Sequence, residues 1–150
     1  MFIVLTGHFS TLTETIDTAR LRSLGFNVLE TARLTDKKEN SVNFVNHGGV
    51  AVIARQGFSI AKIDLKTKVI TIEYLAVRVT SKGASSIVIV VYRPGSARPD
   101  THFFSEFNKF LGAVAAFSTS VTIVGDINIR LDRPEMVIQQ DLWIFSRVMI

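Results

Sequence analysis

Val121-Thr122-Ile123-Val124-Gly125-Asp126-Ile127-Asn128 is the stretch whose reading decides the fold. Its first four residues are mostly β-branched and read as a buried strand. Gly125 then lets the backbone break the strand or come close to a neighbouring segment. Asp126 and Asn128 stand at i and i+2, so in an extended chain both side chains leave the same face. A carboxylate and a carboxamide side by side at a strand end can handle a water, a metal ion or a phosphate. Gly, Asp and Asn also favour a β-turn, and spacing alone leaves both readings open.

The chain around this stretch has 150 residues, which suits a single domain. With 47% hydrophobic and 20% charged residues it is not a disordered tail. The absence of cysteine excludes disulfides and thiolate metal sites. A net charge of +4 is compatible with a polyanionic partner without demanding one. The longest apolar run, Ile87 to Val91, is too short to span a bilayer. Met1 to Leu5 has neither the basic region nor the apolar length of a signal peptide. There is no internal repeat or low-complexity segment.

Ser86 to Tyr92 is apolar without alternating, so this strand is expected to be covered on both faces. It stops at Arg93-Pro94-Gly95, because proline cannot serve a central ladder. Asp100 or Thr101 then caps a helix with Phe103, Phe107, Phe110 and Val114 on one stripe and Phe104 and Leu111 beside it. Upstream, Phe2–Thr6, Phe26–Thr31, Val50–Ala54, Ser59–Leu65 and Val69–Val79 read as strands. Gly25, Gln56-Gly57, Lys66-Thr67-Lys68 and Lys82-Gly83 punctuate them. Thr11 and Glu14 fit a capping box for a helix carrying Ile16, Ala19 and Leu24, and Asp36 to Asn46 reads as a loop. Downstream, Asp132, Pro134 and Glu135 start a terminal helix with Ile138, Leu142, Phe145 and Met149 on one face. Strands predominate, helices are inserted, and one strand is buried on both sides. The expected class is therefore α/β (α+β), with sheets packed on each other and helices outside.

Four segments, taken in order, carry a family resemblance. They are Phe2-Ile3-Val4-Leu5-Thr6, Asn46-His47-Gly48-Gly49-Val50-Ala51-Val52, Tyr92-Arg93-Pro94-Gly95 and Val124-Gly125-Asp126-Ile127-Asn128-Ile129-Arg130-Leu131-Asp132. The set resembles the endonuclease/exonuclease/phosphatase superfamily, and within it the apurinic-type endonuclease domain of non-LTR (LINE-like) retrotransposons. It runs from about Phe2 to Pro134. The resemblance implies a four-layer αββα sandwich, here partial, with mixed, mainly antiparallel sheets. It implies magnesium-dependent hydrolysis of DNA phosphodiesters, the ion polarising the phosphate and stabilising the leaving oxygen. On this chain Asp126 would orient and activate the attacking water, Asn128 would hold a phosphate oxygen, and Tyr92 would contact the phosphate. Arg93 faces either the nucleic-acid backbone or solvent.

Two departures from the family pattern bear on activity. The family places a metal-binding glutamate directly after the opening strand, where this chain has Gly7. Glu14, in Leu12-Thr13-Glu14-Thr15, has the matching letters but lies beyond the strand and fits the capping role. The family also ends on a late Asp-His strand, whereas His8, His47 and His102 all precede Asn128 and read as loop or cap residues. The family's first asparagine, upstream of the opening strand, has no counterpart either. The expectation is one truncated domain over residues 1–150, a hydrolytically inactive retroelement remnant in which magnesium binding is compromised. The alternatives are an active divalent-metal phosphoesterase using Glu14, and a non-enzymatic nucleic-acid-binding module. DNA is the implied partner. Scattered basic residues predict weak, non-specific, salt-sensitive binding, with no membrane partner. An incomplete second sheet predicts self-association of the isolated chain. The parent element's activity implies a nuclear location.

Overall fold

Residues 87–91 are all buried, and the way their side chains alternate sets out the layers of the fold. The computed structural model describes residues 2–6, 18–32, 49–95 and 98–129. In chain order the elements are β1 (Phe2–Thr6), α1 (Thr18–Ser23), β2 (Asn27–Ala32), β3 (Gly49–Ala54) and β4 (Ser59–Ile63). They continue with β5 (Glu73–Ser81), β6 (Ala84–Tyr92), α2 (Thr101–Ala115) and β7 (Val121–Asp126). One sheet has the order β1-β3-β2, and the other β4-β5-β6-β7. All pairings are antiparallel except β6 with β7, which run parallel.

Ile87, Ile89 and Val91 face α2 and join Phe103, Phe104, Phe107, Phe110 and Val114 in one core. Val88 and Val90 face the other sheet and meet Val50 and Val52 of β3, beside Leu75, Val77 and Val79 of β5. β6 is thus covered on both faces, as its unbroken apolar run requires. The resulting order is helix, sheet, sheet, with α1 packed against β2. The α/β (α+β) class with two packed, mainly antiparallel sheets is the one observed. The capping box at Thr11 and Glu14, the loop at 36–46 and the terminal helix with Ile138, Leu142, Phe145 and Met149 lie outside the described residues.

Helix α2 forms where its stripe and its cap agree. The Asp100 side chain accepts a hydrogen bond from the Phe103 backbone N–H at 2.8 Å, filling one orphan donor of the first turn. Phe103 stacks on Phe107, and Phe107 on Phe110, with ring centroids 5.6 and 5.8 Å apart. Each buried phenylalanine contributes about 1.5–3 kcal/mol through the surface it removes from water.

Two boundaries and the burial of one strand depart most from the sequence expectation. β4 ends at Ile63 rather than Leu65 because the Asp64 carboxylate accepts the Lys66 backbone N–H at 2.9 Å, and Lys66 turns to φ 54°. β5 begins at Glu73 rather than Val69. The backbone N–H groups of Ile70 and Thr71 and the Thr71 hydroxyl all donate to Glu106 Oε2 on α2, at 3.0, 2.9 and 2.8 Å. Those donors are satisfied by the helix and leave no ladder to extend. β7, expected to be buried, pairs with β6 alone among the described residues and is half-buried.

The Glu106 clamp carries a pH prediction. Burial pulls its carboxyl upward, but the donors from Thr71 and Ile70, together with His102, outweigh this and hold it below the usual carboxylate range. A carboxylate with a depressed folded pKa stabilises fully above its unfolded value, near pH 4.3, and loses that contribution as pH falls through the folded value. Glu106→Gln is expected to lower stability at pH 7 by about 2 kcal/mol. It should also flatten the acid limb of a plot of thermal midpoint against pH. An acid limb of unchanged slope in the variant would dismiss the clamp.

Candidate active site

Parallel strands joined by a helix leave their carboxyl ends side by side, and ligands of α/β folds collect there. Here β6, α2 and β7 form such a unit, and its register sets Tyr92 beside Asp126. Tyr92 also pairs with Glu73 across β5. By alternation from Leu75, Val90 and Val124, the row Glu73–Tyr92–Asp126 projects toward the β1-β3-β2 side. The four-residue connection from Ala54 to Ser59 puts that end of β3 beside the start of β4. Thr6, which pairs with Val50 at the far end of β3, therefore lies at the same end of the sandwich as Tyr92 and Asp126.

Gly125 makes the close pairing of β7 with β6 possible. Its φ is +138°, and a Cβ placed there would lie 1.8 Å from the Val91 carbonyl oxygen. Of the two early readings of this glycine, close approach is the one observed. The Arg93 N–H then donates to the Asp126 carbonyl at 2.8 Å, which carries the pairing past the strand end.

The chain does not stay extended after Asp126. Asn128 sits at φ +49°, and its N–H donates to Asp126 Oδ1 at 2.9 Å. This is an Asx turn, so Asp126 and Asn128 do not leave one strand face together as an extended chain requires. The carboxamide turns inward instead: its Nδ2 donates to the Arg93 carbonyl at 2.8 Å. The turn is what places Asn128 against Arg93. Asp126 remains exposed and Tyr92 half-buried.

Arg93 corrects the sequence reading. It is 4% exposed, so it faces neither solvent nor a nucleic-acid backbone. Its guanidinium lies 5.0 Å from the Phe103 ring centre and donates to the Asn128 carbonyl at 3.3 Å. Burial pushes the guanidinium below its usual value and the Asp100 carboxylate pulls it back, and it stays charged at any working pH. The inward turn follows from strand parity. Ile87, Ile89 and Val91 face α2, and Arg93 is the next residue in that series. That parity was readable in the sequence, as was the parity that puts Glu73 in the row with Tyr92. Gly7 and Glu14 lie outside the described residues, as do His8 and His47. His102 is on the exposed side of α2, 3.6 Å from Glu106.

The described residues do not fit a magnesium ion by themselves. Glu73 and Asp126 flank Tyr92 in the row and are the two carboxylates that the described residues bring to it. An octahedral ion needs its oxygens at about 2.0–2.1 Å. Among the described residues no three His, Asp or Glu side chains come together around one point. What the row offers is an exposed carboxylate beside a phenol, which can orient a water and contact an anion.

No protein-family profile and no curated protein matches the sequence. Solved structures do match. The human Nocturnin catalytic domain with bound sulfate anion is similar at TM-score 0.58 and 16% identity, over 86% of this chain and 51% of that one. D. rerio TDP2 complexed with single strand DNA product is similar at 0.56 and 13%, over 89% and 50%. TDP2 from C. elegans is similar at 0.54 and 12%, over 91% and 40%. Nocturnin and TDP2 belong to the endonuclease/exonuclease/phosphatase superfamily. At these identities the likeness shows the fold. The chain spans about half the length, or less, of the structures it matches.

Proposed function

We propose that the ends of β6 and β7 bind a nucleic-acid phosphodiester, and that the chain is an endonuclease-type domain of a non-LTR retrotransposon in which hydrolysis is lost. The observation that carries this reading is Tyr92 beside Asp126 at paired parallel strand ends, in a fold similar to structures that hold a sulfate anion and a single strand DNA product. In the active layout that the resemblance implies, Asp126 would orient and activate the attacking water. Tyr92 contacts the phosphate from the neighbouring strand. Asn128 has one amide proton committed to Arg93, so its second proton is what it offers to a phosphate oxygen. Arg93 acts from beneath by holding the Asn128 turn. The magnesium that the resemblance implies would supply charge stabilisation at a leaving oxygen, and the described residues do not hold it by themselves. The loss of hydrolysis rests on Gly7, which has no side chain where the resemblance implies a metal-binding glutamate.

The test is magnesium-dependent nicking of supercoiled plasmid. One missing transition-state contact costs roughly 3 kcal/mol, or about a hundredfold in rate. The chain is expected to nick no faster than buffer. Gly7→Glu alone is expected to leave it inactive, because catalytic groups that act as a unit are far from additive. Magnesium-dependent nicking that vanishes in Asp126→Ala would overturn the loss of hydrolysis. Sensitivity of that nicking to Glu14→Ala would make Glu14 the ligand.

A further inference from the structure

A cavity of about 580 Å³ opens at the opposite end of the sandwich, between the edge strands β2 and β4. The nine-residue β6 separates it from Tyr92 and Asp126 by about 26 Å. Its volume falls in the range of pockets that take small organic ligands, roughly 300–1,000 Å³. Phe26, Val28, Phe58 and Ile60 give it apolar surface between polar side chains, and Arg22 and Lys82 add two cations, with no Asp or Glu among the described residues that line it.

Both cations are available. Arg22 is exposed, and its two hydrogen bonds, to Thr18 Oγ1 and the Val28 carbonyl, are long at 3.5 Å. Lys82 is exposed and makes no ion pair among the described residues. It occupies the first turn position of the β5–β6 hairpin at φ +50°, followed by Gly83 at φ +79°. Asparagine, aspartate or glycine is the usual choice for that left-handed position, and a lysine there spends backbone strain to place an ammonium at the cavity. Such strain is a pointer to function where the neighbouring chemistry agrees with it.

We infer that this cavity binds a small molecule with a flat apolar body and one anionic group. Apolar surface covers the body, and the two cations, with no carboxylate among the described lining residues, select the anion. The site is independent of the phosphodiester site at the other end.

Equilibrium dialysis with naphthalene-1-sulfonate tests this. The full chain is expected to bind one equivalent saturably. 1-Naphthol, which lacks the charge, and sulfate, which lacks the body, should each bind at least tenfold more weakly. Lys82→Asn keeps a residue suited to the left-handed turn and removes the ammonium. Combined with Arg22→Gln it should weaken the sulfonate at least tenfold while leaving the thermal midpoint unchanged or raised. Lys109→Gln, an exposed cation on α2, should leave binding as it was. Equal binding by the double variant, uptake that does not saturate, or no uptake would each overturn the inference.

Discussion

Gly125→Ala is expected to lower the stability of the chain by about 3–4 kcal/mol, more than a typical surface change by a wide margin. The added methyl group has nowhere to go. It would lie 1.8 Å from the Val91 carbonyl oxygen and 2.9 Å from the Val91 nitrogen, both of them backbone atoms of β6. A φ of +138° adds strain for any residue with a Cβ. The only relief is to move β7 away from β6, which breaks the pairing that sets Tyr92 beside Asp126. For a domain of this size the thermal midpoint should fall by about 10 °C. A fall of a degree or two would mean that β7 is not held this tightly.

Arg93→Ala is the second large effect, expected at about 3 kcal/mol. The guanidinium makes a hydrogen bond to a carbonyl and a contact with an aromatic face, and its stem is buried. A charged hydrogen bond contributes about 1.5–3 kcal/mol and a desolvated cation–π contact up to about 2 kcal/mol. Lysine should not rescue the loss, because an ammonium cannot both lie flat on Phe103 and reach the Asn128 carbonyl. Chemical denaturation of Arg93→Ala and Arg93→Lys measures this directly. Full stability in the lysine variant would show that charge alone matters at the position.

The parts of the fold that were readable in advance share one property: a local pattern agreed with its tertiary use. The run Ile87 to Val91 had to be covered on both faces, and it is. The phenylalanine stripe had to dock on a sheet, and it does. Gly25 ends the α1 region and Lys82-Gly83 forms a tight hairpin, both at positive φ. The misreadings came where a distant partner decided the outcome. Val69 to Ile72 have strand-like residues, but Glu106, more than thirty positions away, takes the backbone donors of Ile70 and Thr71. The half-buried state of β7 depends on its neighbours, which its own residues do not encode.

The candidate residues are neighbours in the structure, but their geometry was not legible in the sequence. Tyr92, Asp126 and Asn128 do come together. The Asx turn between Asp126 and Asn128 was one of two open readings, and no residue in the stretch chose between them. The sequence reading places Arg93 at the nucleic-acid backbone or in solvent, as suits an arginine in a turn. Strand parity already pointed it at Phe103, but its burial needed the helix to be in place.

The central claim is that the ends of β6 and β7 are where this chain meets a phosphodiester. The most direct test is a titration of ¹⁵N-labelled protein with a short single-stranded DNA, read at every backbone amide. Binding in the range of roughly 10⁻⁴ to 10⁻⁶ M that weakens steeply with added salt is expected. The shifts should concentrate at Tyr92, Arg93 and Gly95 and from Gly125 to Ile129, and be lost at high salt. Shifts that leave those residues unmoved, or that gather around Lys82 at the opposite end of the sandwich, would contradict it.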